Sequence, residues 1–513
     1  MPAVAPGAGP RAMLPAMWSS SAFGFEADGT AERVLSLAGC MSWTILYIIS
    51  EWLIRLIMLG VVTHRRRPSS ATAWLMVIFF QPWVGLLLYL LFGEDRLPRL
   101  RIEQHSRLMR QMRTVIGRFE DQNNVVQPEL DPTQRSVVRL AQHLGHMPIL
   151  GGNHADFMSR TQEVIDRLVA DIDAAEEHVH LMFYIFAPDA TGERVLDALG
   201  RAAHRGVRCR LLVDAVGSRL LVKTKWREIA ARGILMRPML TVGKLRQHMA
   251  RMDLRNHRKL AVIDGRVAYT GSQNIVDAGY GHKDLSWHDV MVRLSGPVVL
   301  ELQEVFVLDW YFETGELLGA RKVFPEPSIT GDFSVQTLPS GPSYPIENYQ
   351  RFVVAAVYAA RQRVIITTPY FIPDEPFLEA LQVAIMRGVD VDVIVPRRVD
   401  QLLVGIAGRS YYSDLLDAGV RVSLYTHGLL HSKTMSIDDA IGLVGTGNFD
   451  IRSFDLNFEL NLVFYGEHAT AALRTLQHQY LSRSFRLNRA DWAKRPLRQR
   501  LAENVIKLTS PLL

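Results

Sequence analysis

The chain has 513 residues, more than one ordinary hydrophobic core organises, so two or more folded units are expected. Apolar residues make up 48% and charged residues 21%, which fits a globular protein carrying some membrane segment. The net charge of +6, with a pI near 9.3, suits acidic partners of either kind, nucleic acid or anionic lipid. The only two cysteines, Cys40 and Cys209, exclude a disulfide framework and a Cys-rich metal site.

Residues 1–40 are rich in Ala, Gly, Pro and Ser without periodicity and read as disordered or weakly helical; they lack the order of features of a secretory signal. Residues 41–93 read as a membrane helical hairpin. Trp43–Val62 and Trp74–Phe92 are almost wholly apolar, and each approaches the ~20 residues that cross a bilayer. His64-Arg65-Arg66-Arg67-Pro68 joins them, with Trp52, Trp74, Trp83 and Tyr89 as interfacial anchors. Glu51 and Arg55 sit four apart, on one helical face, and can pair. The alternatives are two buried helices of a soluble core, or a first helix lying in the interface. Orientation stays open, because the loop arginines and Arg96, Arg99 and Arg101 after the second run pull in opposite directions. Residues 94–130, with Arg107 and Arg110, read as a basic linker or collar suited to anionic lipid.

Beyond residue 130, strand-like and helical runs alternate. Val179–Phe186, Glu193–Arg205 and Arg208–Asp214 read as strand, helix and strand. A similar order returns at Tyr349–Ala360, Val364–Pro369, Pro376–Arg387 and Val389–Val395. The fold class is therefore α/β, in two long repeats, 131–325 and 326–513, divided near Pro325-Glu326-Pro327.

Each repeat carries one copy of His-x-Lys-x-x-x-x-Asp: His257, Lys259 and Asp264, then His431, Lys433 and Asp438. Each continues in the same register to a Gly and an Asn, Gly271 and Asn274, then Gly445 and Asn448. Residues i and i+2 of a strand share a face, so each His projects with its Lys. A two-fold arrangement of the repeats would gather both pairs in one cleft. Lys259, Lys433, Asn274 and Asn448 would then hold a phosphate, one His would attack phosphorus, and the other would serve as acid and base. This chemistry needs no metal and no cofactor. Asp264 and Asp438 complete the candidate catalytic set, although Asp264-Gly265 is also a hairpin-turn signal and structural support is the competing role. Asp289 and Glu459 are the candidate histidine-orienting carboxylates, with ordinary surface charge as the alternative. His282, His288 and His427 read as structural, and no P-loop, dinucleotide fingerprint or Gly-x-Ser-x-Gly elbow is present.

The paired motif resembles the signature of the phospholipase D superfamily. Flanking segments are similar to those of bacterial cardiolipin synthases: Thr368-Pro369-Tyr370-Phe371-Ile372-Pro373, Leu338-Pro339-Ser340-Gly341-Pro342 and Asn448-Phe449-Asp450-Ile451-Arg452-Ser453-Phe454. So are the opening that ends in Leu90-Leu91-Phe92-Gly93 and the closing Ser510-Pro511-Leu512-Leu513, but residues 1–40 do not map onto that pattern. The resemblance implies two phospholipase D-like α/β/α domains related by a pseudo-two-fold axis and a phosphohistidine intermediate, with His257 as nucleophile and His431 as acid/base. It implies a phosphatidyl group passing from one phosphatidylglycerol to another, giving cardiolipin and glycerol. The expected setting is a bacterial inner membrane, multi-pass, with the catalytic domain on the cytoplasmic face. Phosphatidylglycerol, cardiolipin and anionic bilayer lipid are the expected partners; no nucleic acid is expected, and self-association is left open. The rival readings are a phospholipase D hydrolase, a synthase using serine or phosphatidylethanolamine, a nuclease of the same superfamily and an inactive membrane scaffold.

Overall fold

A computed structural model of the protein describes residues 30–66, 68–93, 103, 107–108, 124–241, 253–281, 285–319, 322–344, 346–508 and 510. Residues 1–29, His282 and most of the expected collar, including Arg96, Arg99, Arg101 and Arg110, lie outside the described residues. The N-terminal helices and the remainder of the chain form two compact units.

In the first unit, α1 runs from Thr30 to Arg65 and so begins before the boundary expected at residue 41. Its Trp43–Arg65 segment is long and apolar enough to cross a membrane, and only 17% of its most apolar window is buried by protein. Glu51 and Arg55 pair at 3.3 Å, and Arg55 Nε also donates to the Phe79 carbonyl at 3.2 Å.

The second apolar run is not the single crossing helix that its composition suggests. It is broken into α2 (Pro68–Phe80) and α3 (Pro82–Phe92). Pro82 has no N–H to donate and its ring crowds the carbonyl four residues back, which ends α2. The chain then folds back on itself. A Cβ added at Gly85 would lie 2.6 Å from the Ile78 Cα, so the two short helices touch through their backbones. Tyr89 meets Trp74 edge-on with ring centroids 5.3 Å apart, and Arg66 lies 6.0 Å from the Tyr89 ring centroid. The end of α3 therefore returns to the arginine loop.

Among its described residues the second unit is built on nineteen strands. In the first repeat they are β1 (Leu150–Met158), β2 (His178–Phe183), β3 (Arg208–Asp214), β4 (Leu235–Met239), β5 (Lys259–Ile263), β6 (Val267–Gly271), β7 (Trp287–His288) and β8 (Met291–Ser295). The second supplies β9 (Phe333–Ser340), β10 (Arg363–Thr367), β11 (Phe371–Ile372), β12 (Asp390–Pro396), β13 (Arg421–Tyr425), β14 (Leu429–Leu430), β15 (Thr434–Ile437), β16 (Ile441–Gly445), β17 (Phe449–Asp450), β18 (Glu459–Tyr465) and β19 (Ser484–Arg486). Fifteen of them form one sheet, in the order β19-β13-β12-β10-β15-β16-β18-β9-β1-β8-β6-β5-β2-β3-β4. Read outward from the β9–β1 seam, the two repeats follow the same strand order, with β19 an added edge. The central strands are buried on both faces, as their near-continuous Val, Ile and Leu content requires.

The repeats are not separate bodies. The division near Pro325 interrupts the chain but not the sheet, because β1 and β9 pair antiparallel across it. Helix Pro132–Gly145, assigned by sequence to the first repeat, packs Val137, Val138, Ala141 and Leu144 into a core with Tyr349, Phe352 and Val353 of the second. Asn153 locks the seam. Its Nδ2 donates to the Leu150 and Phe333 carbonyls at 2.7 and 3.1 Å, and its Oδ1 accepts from Val298 N–H at 2.8 Å. Gly152 beside it takes φ +79°, which allows the bulge that turns this side chain inward.

Asn153→Ala removes three buried hydrogen bonds at once. It should lower the unfolding free energy by about 2–4 kcal/mol, and both repeats should unfold in one transition, read from denaturant titrations of the full chain in detergent.

Candidate active site

The two motif histidines stand where strands of one repeat meet strands of the other. β14 pairs in parallel with β7, aligning Leu430 with His288, and a matching bridge aligns Asn256 with Phe458. His431 N–H donates to the His288 carbonyl at 2.8 Å, and His257 N–H donates to the Phe458 carbonyl at 2.9 Å. This register sets each histidine beside the carboxylate that follows in the other repeat. His257 Nδ1 lies 3.0 Å from both Glu459 oxygens, and His431 Nδ1 lies 2.6 Å from Asp289 Oδ1. Sequence named the four residues; the structure pairs them crosswise.

Two hydroxyls that sequence reasoning overlooked complete the arrangement. Ser272 Oγ donates to Asp289 Oδ1 at 2.6 Å and accepts from Val290 N–H at 2.9 Å. Thr446 Oγ1 donates to Glu459 Oε2 at 2.5 Å and accepts from Leu460 N–H at 2.8 Å. The signal was available, because both hydroxyls stand at the same offset from their motif histidine and directly follow the shared glycine. Aromatic rings close one side of each imidazole. Tyr184 lies 5.0 Å from His257, and Trp287 lies 4.6 Å from His431, centroid to centroid.

Lys259 and Lys433 are fully buried, and each Nζ donates to the carbonyl of its own histidine, at 2.7 and 2.5 Å. Burial pulls the Lys259 ammonium down to about 8 against the pull of Glu459 and Asp289, and drives Lys433 well below the usual lysine range. Burial also holds both imidazoles neutral, His257 at about 4 and His431 below its ordinary value. Burial alone would raise the carboxylates, but His431, Lys433 and Ser272 outweigh it and bring Asp289 to about 2. Glu459 is lowered in the same way by His257, Lys259 and Thr446. An ionised carboxylate only accepts, so each Nδ1 carries the proton and each Nε2 presents a lone pair.

Asn274 and Asn448 are buried. Asn274 Oδ1 accepts from Ile185 N–H at 3.1 Å, and Asn448 N–H donates to Ser453 Oγ at 3.1 Å. Asp264 and Asp438 are not part of the site. Each lies at the far end of its strand, on the order of 20 Å of extended chain from its histidine. Asp264, at φ 54°, accepts from the N–H groups of Glu176, Glu177 and His178 at 2.8–2.9 Å. Asp438, at φ 50°, accepts from those of Arg361, Gln362 and Arg363 at 2.8–3.0 Å. The third motif residue therefore fastens the hairpin to the start of the neighbouring strand, which corrects its place in the catalytic set.

Two α/β repeats sharing one sheet, with a His-x-Lys segment from each brought together by the β7–β14 ladder and the Asn256–Phe458 bridge, define a phospholipase D-like protein. Residues 168–310 and 353–480 match the family described as cardiolipin synthase, PLD-like domain, and residues 45–94 match a phospholipase D-nuclease N-terminal segment. Cardiolipin synthase A of Klebsiella pneumoniae subsp. pneumoniae is 35% identical over 489 residues, covering 92% of this chain and 100% of that one. Cardiolipin synthase A of Edwardsiella ictaluri is 36% identical over 492 residues, covering 92% and 99%. Among solved structures, phosphatidylserine synthase of Haemophilus influenzae Rd KW20 shares the fold, with a TM-score of 0.56 at 15% identity, covering 74% of this chain and all of that one. The chain belongs to the bacterial cardiolipin synthases of the phospholipase D superfamily.

Because His257 titrates near 4 when folded and near 6.5 when unfolded, the folded chain binds fewer protons between those values. Its contribution to stability is complete above pH 6.5 and is lost as pH falls toward 4, a loss on the order of 3 kcal/mol. Unfolding midpoints measured across that window should fall for the wild type and flatten for His257→Gln. Asp264→Ala should lower thermal stability while leaving kcat of the folded fraction within about three-fold, which combined melting and rate measurements check.

Proposed function

We propose that this phosphatidyltransferase makes cardiolipin from two phosphatidylglycerol molecules through a phosphohistidine. The observation that carries the reading is the pair of crossed histidine–carboxylate contacts, which sets two Nδ1-protonated imidazoles beside two buried lysines. His257 Nε2 attacks phosphorus, and the bond from phosphorus to the departing glycerol oxygen breaks. His431 Nε2, protonated when the phosphodiester anion arrives, gives that oxygen its proton. A hydroxyl of the second phosphatidylglycerol then surrenders its proton to His431 and displaces His257 from phosphorus. One phosphodiester replaces another, so no external energy source enters. Each lysine spends one donor on a carbonyl and has two left for phosphate oxygens, and Asn274 and Asn448 supply neutral amides. Glu459 and Asp289 position the histidines, and Thr446 and Ser272 position the carboxylates.

The setting assigned to the chain is a bacterial inner membrane, crossed once by α1, with α2 and α3 entering and leaving on one side. The return of Tyr89 to Arg66 supports this, since it brings the exit of α3 to the same end as the arginine loop. By the positive-inside rule that end, and the catalytic unit after it, is cytoplasmic.

The purified protein, given phosphatidylglycerol vesicles without nucleotide, should release cardiolipin and glycerol in equal amounts, resolved by mass spectrometry. His257→Ala and His431→Ala should each lower that rate by at least about 10³-fold. Phosphatidic acid as the product would replace the synthase with a hydrolase, and turnover only with added serine or phosphatidylethanolamine would change the co-substrate.

A further inference from the structure

The strand ends that lie beside the histidines, those of β3 and β12, lead into exposed leucines at equivalent places in the two repeats. In the first repeat, Phe183 lies opposite both Lys259 and Val213. In the second, Thr367 lies opposite Thr434 and Ile394, which puts Lys433 level with Val395 one residue on. Val213 and Val395 are therefore equivalent, and Leu220 and Leu402 each follow seven residues later, at the start of a helix. Leu220 is 61% exposed, Leu402 75% and Leu403 55%.

Both positions adjoin the site. Ser218 Oγ donates to the carbonyl of Tyr184, whose ring edges His257. Asp214 accepts from Val216, Gly217 and Asn256 N–H groups, and so ties this loop to the residue before His257. In the second repeat Asp400 accepts from Tyr370 O–H at 2.5 Å, and the Tyr370 carbonyl accepts from Thr368 Oγ1. Thr368 Oγ1 in turn accepts from Phe449 N–H, next to Asn448.

The C-terminal helix Leu497–Lys507 adds an independent observation. It is turned inside out. Its Glu503 is buried against Arg409 and Arg495, whereas Leu501, Val505 and Leu508 are exposed. Its Ile506 packs on the cluster containing Val404, two residues past Leu402. Single exposed leucines are ordinary on soluble surfaces; a register-matched pair beside an inverted helix is not. Arg219, Lys223, Arg397 and Arg398 are exposed beside the leucines, the composition that anionic lipid attracts.

We propose that Leu220 and Leu402–Leu403 are two apolar prongs that seat the catalytic edge on an anionic bilayer, so that lipid reaches the histidines without crossing water. The proposal rests on the reading of the substrate as bilayer lipid, and its test separates the two.

The full chain, carrying Cys40→Ser and one cysteine at a time (Leu220→Cys, Leu402→Cys or Met386→Cys), is labelled with bimane in phosphatidylglycerol nanodiscs. Met386 is exposed at the end of helix Glu375–Met386, toward the opposite sheet edge where β12 begins, and Cys209 is buried. Nitroxide-labelled lipid tails should quench the labels at 220 and 402 several-fold more than the label at 386; equal quenching would overturn the proposal. Quenching undiminished in phosphatidylcholine discs would remove the anionic preference. In the activity arm, the triple variant Leu220→Ser/Leu402→Ser/Leu403→Ser should lose about ten-fold turnover of bilayer phosphatidylglycerol yet keep turnover of monomeric short-chain phosphatidylglycerol within about two-fold. An equal loss on both substrates, or no loss on either, would reject the prongs. A wild-type chain that turns over neither substrate overturns the proposed function instead, and the quenching result still decides the prongs.

Discussion

Two lysines sit fully buried where the two motif segments come together, and a buried ammonium survives only where opposite charge and hydrogen-bond acceptors replace its water. Here those replacements come from both repeats. Lys259 feels Glu459 across the seam as well as Asp289 and Asp214 on its own side, and Lys433 feels Asp289 across it together with Glu459. Neither repeat could bury its own His-x-Lys segment alone, because the carboxylate that compensates each histidine belongs to the other. The continuous sheet, the Asn153 lock and the shared core under helix Pro132–Gly145 are consequences of that mutual dependence.

Arg258 shows the same dependence one residue from His257. It is buried, pairs with Asp309 of its own repeat at 2.7 Å, and donates to the Glu459 and Ser340 carbonyls of the other at 3.1 and 3.2 Å. Asp309 also accepts from Asn256 Nδ2 at 3.1 Å. The guanidinium fork thus fixes the paired ends of β9 and β18 relative to the segment that carries His257, and a site whose geometry must hold to a few tenths of an ångström gains from such rigid support.

The N-terminal unit solves a different problem. A run as apolar as Trp74–Phe92 would by composition form one helix approaching the length that spans a bilayer. One proline and one glycine prevent it: Pro82 ends α2, and Gly85 lets the Ile78 backbone approach closely enough for α3 to fold back. Arg55, on α1, then donates to the Phe79 carbonyl just before the break, so a cation on an otherwise apolar helix receives both Glu51 and a backbone acceptor.

What the sequence determined by itself was local or repeated. The strand–helix alternation, the two copies of the motif and the Glu51–Arg55 pair all follow from periodicity, which needs no knowledge of distant contacts. The Asp-Gly turn signal at Asp264 pointed the right way too, since a residue at positive φ that accepts three N–H groups is a fastener. What only the tertiary structure decided was which partner each group meets. The crossed pairing of His257 with Glu459 and His431 with Asp289 depends on a parallel register between segments about 200 and 140 residues apart, and single-chain spacing carries no trace of it. The fold-back of α3 and the inverted C-terminal helix escaped for the same reason: composition fixes how apolar a face is, but only packing decides whether protein covers it.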